Sequence, residues 1–162
     1  MNKPYHYSES GLSNVWLASG VIRRDTPYGP GVAVERVVEL LKLLAMNLVD
    51  KPARLTGKEF RYLRGMLLIS QASVAQAHGV SEQVVSLWER HGKVPKANDF
   101  LMRLNYLARC GGADKLPAVL ERMNAIETPV HQRIIGRLTT RGWRLKVELE
   151  EAAPSETARA AA

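Results

Sequence analysis

Residues 71–90, Gln-Ala-Ser-Val-Ala-Gln-Ala-His-Gly-Val-Ser-Glu-Gln-Val-Val-Ser-Leu-Trp-Glu-Arg, decide the fold of this 162-residue chain. Gly79 lies between two runs suited to helices, and glycine takes a positive φ there without steric cost. Ala75 is small enough for the two helices to approach closely. Val85 and Trp88 would face inward, leaving the polar face of the second helix free. The stretch predicts two short helices joined by a tight turn.

Helix signals continue on both sides of this stretch. Thr56 and Glu59 have the spacing of a capping box, with Leu55 and Phe60 placed as a hydrophobic staple. Ser70 and Ser81 stand directly before the predicted helices at 71–77 and 82–90, where serine is a preferred N-cap residue. Asp114 and Thr128-Pro129 can each start a further helix. The predicted helices are 57 to about 67, 71–77, 82–90 and 96–110.

The two ends of the chain predict a small amount of β-structure. Short strands are expected at 15–18, 21–22 and 32–34, with a turn-rich run at 25–31. Alternating residues from Trp143 to Glu150 predict one more strand. Because no strand is predicted beside it in sequence, we expect it to pair with the N-terminal strands or with a second subunit.

An apolar helix is predicted from 35 to 49, and its broad apolar face suits burial in the core or in a dimer interface. The expected class is mainly α with a small β element, with short strands at the N-terminal end and one strand at the C-terminal end. The expected divisions are a strand-plus-helix region at 1–52, the helix-turn-helix domain at 53–112, a helical extension ending in a strand at 113–151, and a disordered tail at 152–162.

The positive charge is concentrated in the middle of the chain. The net charge is +7. Residues 51–110 hold ten basic and four acidic side chains, whereas residues 1–50 hold five of each and residues 111–162 hold eight and seven. A concentrated basic zone indicates a polyanionic partner such as nucleic acid, although a solubilising surface would give the same composition.

Other classes of protein find little support. The single cysteine, Cys110, excludes a disulfide framework, and the four histidines are scattered without metal-ligand spacing. The sequence has no nucleophile–base pair and no phosphate-binding glycine loop, so we expect no enzymatic activity, no cofactor and no metal. Neither a signal peptide nor a membrane span is evident. We expect a soluble cytoplasmic protein.

Residues 55–108 resemble the phage-repressor or Cro-like (XRE-type) helix-turn-helix regulators. The likeness is carried by Leu-Thr-Gly-Lys-Glu-Phe-Arg-Tyr-Leu-Arg from Leu55, by Ser-Gln-Ala-Ser-Val-Ala from Ser70, and by Gly-Val-Ser-Glu-Gln-Val-Val-Ser-Leu-Trp-Glu-Arg from Gly79. The N-terminal segment Tyr-His-Tyr-Ser-Glu-Ser-Gly-Leu-Ser-Asn-Val-Trp-Leu also resembles the segment that precedes this module in some bacterial regulators and antitoxins.

The resemblance implies a five-helix-type helix-turn-helix DNA-binding domain at 53–112, flanked by short N-terminal strands and a C-terminal strand. It also implies roles for individual residues. The helix at 81–90 would enter the major groove, with Gln83 pairing with adenine and Glu82 accepting from a cytosine amino group. An ion pair between Arg64 and Glu89 would be structural. Ser81 and Ser86 would also face the bases. The phosphate contacts would be Gln71, Arg90, Lys93 and Lys96.

Two residues depart from the family pattern. His78 replaces an apolar residue, so it must find a hydrogen-bond partner or tilt toward solvent. Leu87 stands at a usually polar, base-facing position, where it would touch a thymine methyl or weaken sequence reading. Glu82 has an alternative role too, since a helix dipole favours acidic residues in the first turn. The alternative for Lys93 and Lys96 is that they are solvated loop charges.

Two functions fit these features. The first is a transcriptional regulator, expected to be a repressor, that binds double-stranded DNA as a homodimer and is associated with the bacterial nucleoid. The second is an antitoxin that binds a toxin protein and represses its own operon. Its support is the neutral 1–50 segment, the apolar 37–49 helix and the strand at 143–150, all of which could be partner surfaces.

Overall fold

A computed structural model describes residues 3–123 and 132–149. The fold is mainly α with a small β element, which confirms the predicted class. The predicted helix start at 128–129 and the predicted tail at 152–162 lie outside the described residues. The strands are β1 (Tyr5–His6), β2 (Val15–Leu17), β3 (Val21–Thr26), β4 (Gly29–Val34), β5 (Gln132–Thr139) and β6 (Gly142–Leu149). The helices are α1 (Val37–Val49), α2 (Gly57–Met66), α3 (Gln71–His78), α4 (Glu82–His91), α5 (Lys96–Cys110) and α6 (Leu116–Met123), with short 3-10 turns at Ser8–Ser10 and Ala113–Lys115.

A four-stranded sheet in the order β1-β2-β5-β6 joins the two ends of the chain. The expected pairing of strand 143–150 with the N-terminal strands is wrong, because β6 pairs antiparallel with β5. Strand β5, which was not predicted, runs parallel to β2 and separates it from β6. Its signal is weak because Ile134 and Ile135 are adjacent and Gly136 follows, so the strand lacks the alternation of a strand with one solvated face.

Strands β3 and β4 form a separate two-stranded ribbon. The prediction of strands at only 21–22 and 32–34 is wrong in extent, because the pairing continues from Val21–Val34 to Thr26–Gly29. Pro30 lies within β4, where a ribbon with two free edges can accept a residue that donates no hydrogen bond. The hydroxyl of Thr26 donates to the Gly29 carbonyl at 2.6 Å and closes the turn.

Helix α1 forms the centre of the hydrophobic core. It begins at Val37, two residues later than predicted, after Arg36 in the left-handed conformation. The helix contacts β6, α2 and α5, which places its apolar face in the core of the molecule. The buried side chains of α1 are Leu40, Leu44, Ala45, Leu48 and Val49.

Among the described residues, no helix combines the length and apolar character that crossing a bilayer requires.

A buried arginine fastens the α1–α2 connection to α5. Arg103 pairs with Asp99 at 2.6 Å, and both side chains are 1% exposed. The guanidinium also donates to the carbonyls of Val49, Lys51 and Ala53 at 3.2, 2.5 and 2.6 Å. With a further contact from Nη2 to Asp99 Oδ2 at 3.4 Å, all five N–H groups of the guanidinium have an acceptor, which is the condition under which a buried charge is tolerated.

A second buried ion pair holds the start of α2. Lys51 Nζ lies 2.9 Å from Glu59 Oε2, and neither side chain is more than 3% exposed. The same carboxylate accepts from the Thr56 backbone at 2.8 Å, while the Thr56 hydroxyl accepts from the Glu59 backbone. The predicted capping box is therefore present. Asp99 accepts the Leu55 backbone N–H at 2.6 Å, so α2 begins at a position set by α5.

Candidate nucleic-acid interface

A tight turn joins α3 to α4. Gly79 has φ 66° and ψ 33°, the left-handed conformation that glycine adopts without strain. The Val80 backbone donates to the Ala75 carbonyl at 3.0 Å, which closes the end of α3. Ser81 then caps α4 by accepting from the Val84 backbone. Ala75 is buried, as the close approach of two helices requires.

An ion-pair network ties α2, α3 and α4 together. Arg64 Nε and Nη2 bind Glu89 Oε1 and Oε2 at 2.5 and 3.1 Å. Gln71 Nε2 donates to the same Glu89 Oε2 at 2.7 Å. Arg64 Nη1 also reaches the Ile69 carbonyl at 3.0 Å, between α2 and α3. The resemblance implied the Arg64–Glu89 pair, whereas the Gln71 contact to Glu89 was not anticipated.

An aromatic cluster holds the inner face of α4. Trp88 packs edge-on against Phe60 of α2, with ring centroids 5.9 Å apart. His78 lies 6.0 Å from Phe60 and 6.2 Å from Trp88. Its Nδ1 is 3.2 Å from Asn98 Nδ2, so the histidine has found a hydrogen-bond partner in α5. Burial lowers the pKa of His78, because the neutral imidazole is the form that an apolar site favours.

The start of α2 touches the end of α4. A Cβ atom added to Gly57 would lie 2.5 Å from the carbonyl oxygens of both Trp88 and Glu89. Only glycine allows this approach. The sequence reasoning missed this role, and the only local signal was a glycine directly after the cap residue Thr56.

The outer face of α4 carries a row of solvent-accessible side chains. Gln83, Ser86, Leu87 and Arg90 follow the spacing i, i+3, i+4 and i+7, which places them on one face of a helix. We call these four residues the α4 stripe. Ser86 is half-buried, whereas the other three are exposed, with Leu87 at 45%. The buried residues of α4 are Val85, Trp88 and Glu89.

The other predicted contact residues surround this helix. Ser81 and Glu82 are exposed at its first turn. Lys93 is exposed in the connection to α5, and Lys96 is half-buried at the first residue of α5. Gln71 is half-buried at the first residue of α3. The structure thus brings Ser81 and Glu82 next to the α4 stripe and turns the Gln71 amide toward Glu89.

Three of the ten basic side chains in residues 51–110 are structural. Lys51, Arg64 and Arg103 are held by Glu59, Glu89 and Asp99, respectively. These pairs remove three of the ten basic and three of the four acidic side chains, so Glu82 is the one acidic residue left. The net charge of residues 51–110 outside these pairs is therefore still +6, and it lies on exposed or half-buried side chains. The basic ones are Arg54, Lys58, Arg61, Arg90, Lys93, Lys96 and Arg109.

A groove of about 980 Å³ lies between the N-terminal segment 7–13 and the helices α2 and α4. Lys58, Arg61 and Arg90 line it. One of its acidic residues, Glu89, is already paired with Arg64. The other, Glu9, has a lowered pKa because it accepts a hydrogen bond from the Tyr5 hydroxyl. This lowered pKa keeps Glu9 ionised, so outside the Arg64–Glu89 pair the groove has three lysine and arginine side chains against one carboxylate. This excess of cations continues the positive surface from the end of α4 along α2.

Within residues 3–123 and 132–149, no group of three or more histidine, cysteine or acidic side chains could hold a metal ion. Cys110 is exposed at the end of α5. The charged groups gathered near α4 are mainly basic. Their chemistry suits anion binding.

Comparison with known proteins adds no relative. The chain matches no protein-family model, no curated protein and no solved structure at a significant level. The resemblance to the Cro-like regulators therefore rests on the residues of 55–108.

Proposed function

We propose that the chain is a sequence-specific DNA-binding transcriptional regulator, a repressor that acts as a dimer and reads the major groove with α4. The observation that carries the proposal is the α4 stripe. Its side chains are accessible on a helix whose opposite face is fixed by Trp88 and by the Arg64–Glu89 pair. The major groove of B-DNA admits one α-helix, and a rigid helix keeps its contacts in register with the bases.

In this proposal the DNA-binding unit has a helix-turn-helix fold of five helices. Residues 53–112 contain four of them, α2 to α5. The fifth would be α6, which lies outside these bounds in the extension at 113–151 and packs against α5. The second and third helices of the unit, α3 and α4, would then be the two helices of the motif.

Residues of α4 have distinct roles in this proposal. Gln83 makes a bidentate pair with adenine, and Glu82 accepts from a cytosine amino group. Leu87 contacts a thymine methyl, since its exposed apolar side chain lies next to Gln83 on the helix face. Ser81 and Ser86 add hydrogen bonds to base edges.

Phosphate contacts fix the orientation of the domain on DNA. Arg90, Lys93 and Lys96 lie at and after the end of α4 and would bind the DNA backbone beside the groove. Gln71 uses one amide N–H on Glu89, and a side-chain amide has two. The second N–H is directed at a phosphate, together with the N-terminal amides of α3.

The experiment that tests the proposal is selection of bound sites from random double-stranded DNA with the full chain. A helix-turn-helix dimer should enrich a palindrome whose half-site centres are about one helical turn apart. Failure to enrich any sequence over successive rounds would contradict the proposal.

The second candidate function is that of an antitoxin, and one observation favours it. The outer part of the β3–β4 ribbon is exposed on both strands, and Tyr28 at its tip is fully exposed. An exposed aromatic side chain at the end of a ribbon suits contact with another protein. Co-purification of a stoichiometric small protein with the chain from its native host, lost on deletion of residues 24–31, would support this function. Purification of a soluble homodimer with no captured partner would contradict the function, whereas a complex that survives the deletion would exclude the ribbon as its binding surface.

A further inference from the structure

Strand β6 has one paired edge. It pairs with β5, and none of the other described residues pairs with its second edge. Unpaired strand edges present a row of backbone donors and acceptors that other strands can use. The edge of β6 therefore has the capacity to bind another strand.

The backbone groups that point outward can be identified from the neighbouring bonds. Both the N–H and the carbonyl of Leu138 bond to the Ser19 hydroxyl, at 2.9 and 3.1 Å, on the β2 side of β5. The backbone N–H and carbonyl of the facing residue Trp143 therefore point away from β5, and this N–H donates to Glu39 Oε1 at 3.3 Å. In an antiparallel ladder this direction alternates along the strand. The outward-pointing groups are consequently those of Leu145, Val147 and Leu149.

The side chains of β6 separate into an apolar row and a charged row. Trp143 is buried against the core, but Val147 is 38% and Leu149 is 68% exposed. On the opposite face, Lys146 and Glu148 lie 2.8 Å apart as an ion pair. The apolar row thus continues beyond the part of the strand that the core covers.

We propose that β6 pairs antiparallel with β6 of a second copy of this chain, about a two-fold axis at Val147, so that the two sheets become one. This inference rests on the dimer of the proposed function and identifies its surface. In this register Val147 faces its own copy and Leu145 faces Leu149 of the other protomer. Lys146 of each protomer faces Glu148 of the other. The strand is therefore complementary to itself in both apolar character and charge.

Neighbouring registers are less favourable. An axis at Lys146 brings the two Lys146 side chains together, and an axis at Glu148 brings the two Glu148 side chains together. Like charges directly opposite each other destabilise a strand pair. The axis at Val147 avoids both contacts while keeping the outward backbone groups in position to bond.

The test is sedimentation of the full chain without DNA. Wild type should be a dimer. Lys146→Glu and Glu148→Lys each place like charges in facing positions, so each variant alone should dimerise about tenfold more weakly. An equimolar mixture of the two variants restores both opposite-charge pairs between protomers. The mixture should recover the dimer as a heterodimer, which an effect on folding of either variant would not produce.

Arg137→Glu is the matched control, because Arg137 is exposed on the same face of the sheet but lies on β5, one strand away from the edge. It should leave the dimer unchanged. Val147→Lys, which puts two lysines at the axis, should give a monomer. A monomeric wild type, single variants as dimeric as wild type, or a mixture no better than its components would each overturn the proposal.

These results are separable from those on DNA binding. If K146E and E148K bind a palindromic site as cooperatively as wild type, the proposed function stands and the β6 surface is wrong. If the β6 dimer forms but no sequence is selected from random DNA, the dimer surface stands and the proposed function is wrong.

Discussion

Arg64 on α2 and Glu89 on α4 form a bidentate ion pair, with N–O distances of 2.5 and 3.1 Å. Glu89 lies on the inner face of the helix that carries the α4 stripe, and Gln71 of α3 binds the same carboxylate. One acidic side chain therefore sets the positions of three helices relative to one another. The orientation of the proposed reading helix depends on it.

Loss of this pair should destabilise the protein. Arg64→Ala leaves a buried carboxylate with Gln71 as its remaining partner, so the free energy of unfolding should fall by about 3 kcal/mol. Denaturant unfolding measures this value. Arg61→Ala, on the same helix but exposed, is the control and should change stability by less than about 0.5 kcal/mol. Equal effects of the two substitutions would show that the ion pair does not fasten α4.

Two glycines of α2 should respond in opposite directions to the same substitution. Gly57→Ala forces a Cβ within 2.5 Å of two backbone carbonyls of α4, and backbone atoms cannot move aside cheaply. Gly65 is exposed and has no atom within 4 Å of an added Cβ, so Gly65→Ala should stabilise the helix by about 0.5–1 kcal/mol. Thermal unfolding of the two variants measures both stability changes. A Gly57→Ala protein as stable as wild type would contradict the close contact between α2 and α4.

His78 should make stability depend on pH. Burial lowers its pKa in the folded protein, so below about pH 6.5 the unfolded chain takes up a proton that the folded chain resists. The contribution is complete above the unfolded pKa and declines as the pH falls toward the folded pKa. We expect His78→Leu to lose this part of the decline between pH 7.5 and 5.5 in denaturant unfolding.

His91 provides the control for that measurement because it is exposed at the end of α4. His91→Leu should retain the decline seen in wild type. If the two leucine variants show the same pH dependence, burial of His78 is not its cause.

Base contacts and phosphate contacts should separate in binding measurements. Gln83→Ala should cost about 1–3 kcal/mol at the preferred site and less at a site changed at the adenine it contacts, so specificity relaxes there. Lys93→Ala should weaken binding to all sequences about equally. Fluorescence anisotropy with matched DNA duplexes measures both. An equal loss at every site for both variants would contradict these assignments.

The local elements of the fold were predictable because their signals are local. Thr56 and Glu59 form the predicted capping box, and Ser70 and Ser81 cap the predicted helices. Strand β5 was not predictable in the same way. It is central in its sheet, so Ile134 and Ile135 do not alternate with polar residues, and its partner β2 lies more than 100 residues away.

The buried charges were misjudged for a similar reason. Lys51 and Arg103 were counted with the basic surface, yet both are buried. The acceptors of Arg103 include carbonyls about 50 residues away, and no pattern within one helix reveals them. Its i,i+4 partner Asp99 was the available signal. The charge of the accessible surface nevertheless came out the same, because each buried cation has its own carboxylate.

The central claim is that α4 reads DNA sequence from a basic surface, and its most direct test is the affinity for a selected site and for an unrelated duplex across a salt series. With about six phosphates neutralised, log affinity should fall with log salt at a slope of roughly −5 on both duplexes. The selected site should be bound at least about 10³-fold more tightly at physiological salt. Equal affinity for the two duplexes, or a slope near zero, would contradict the account.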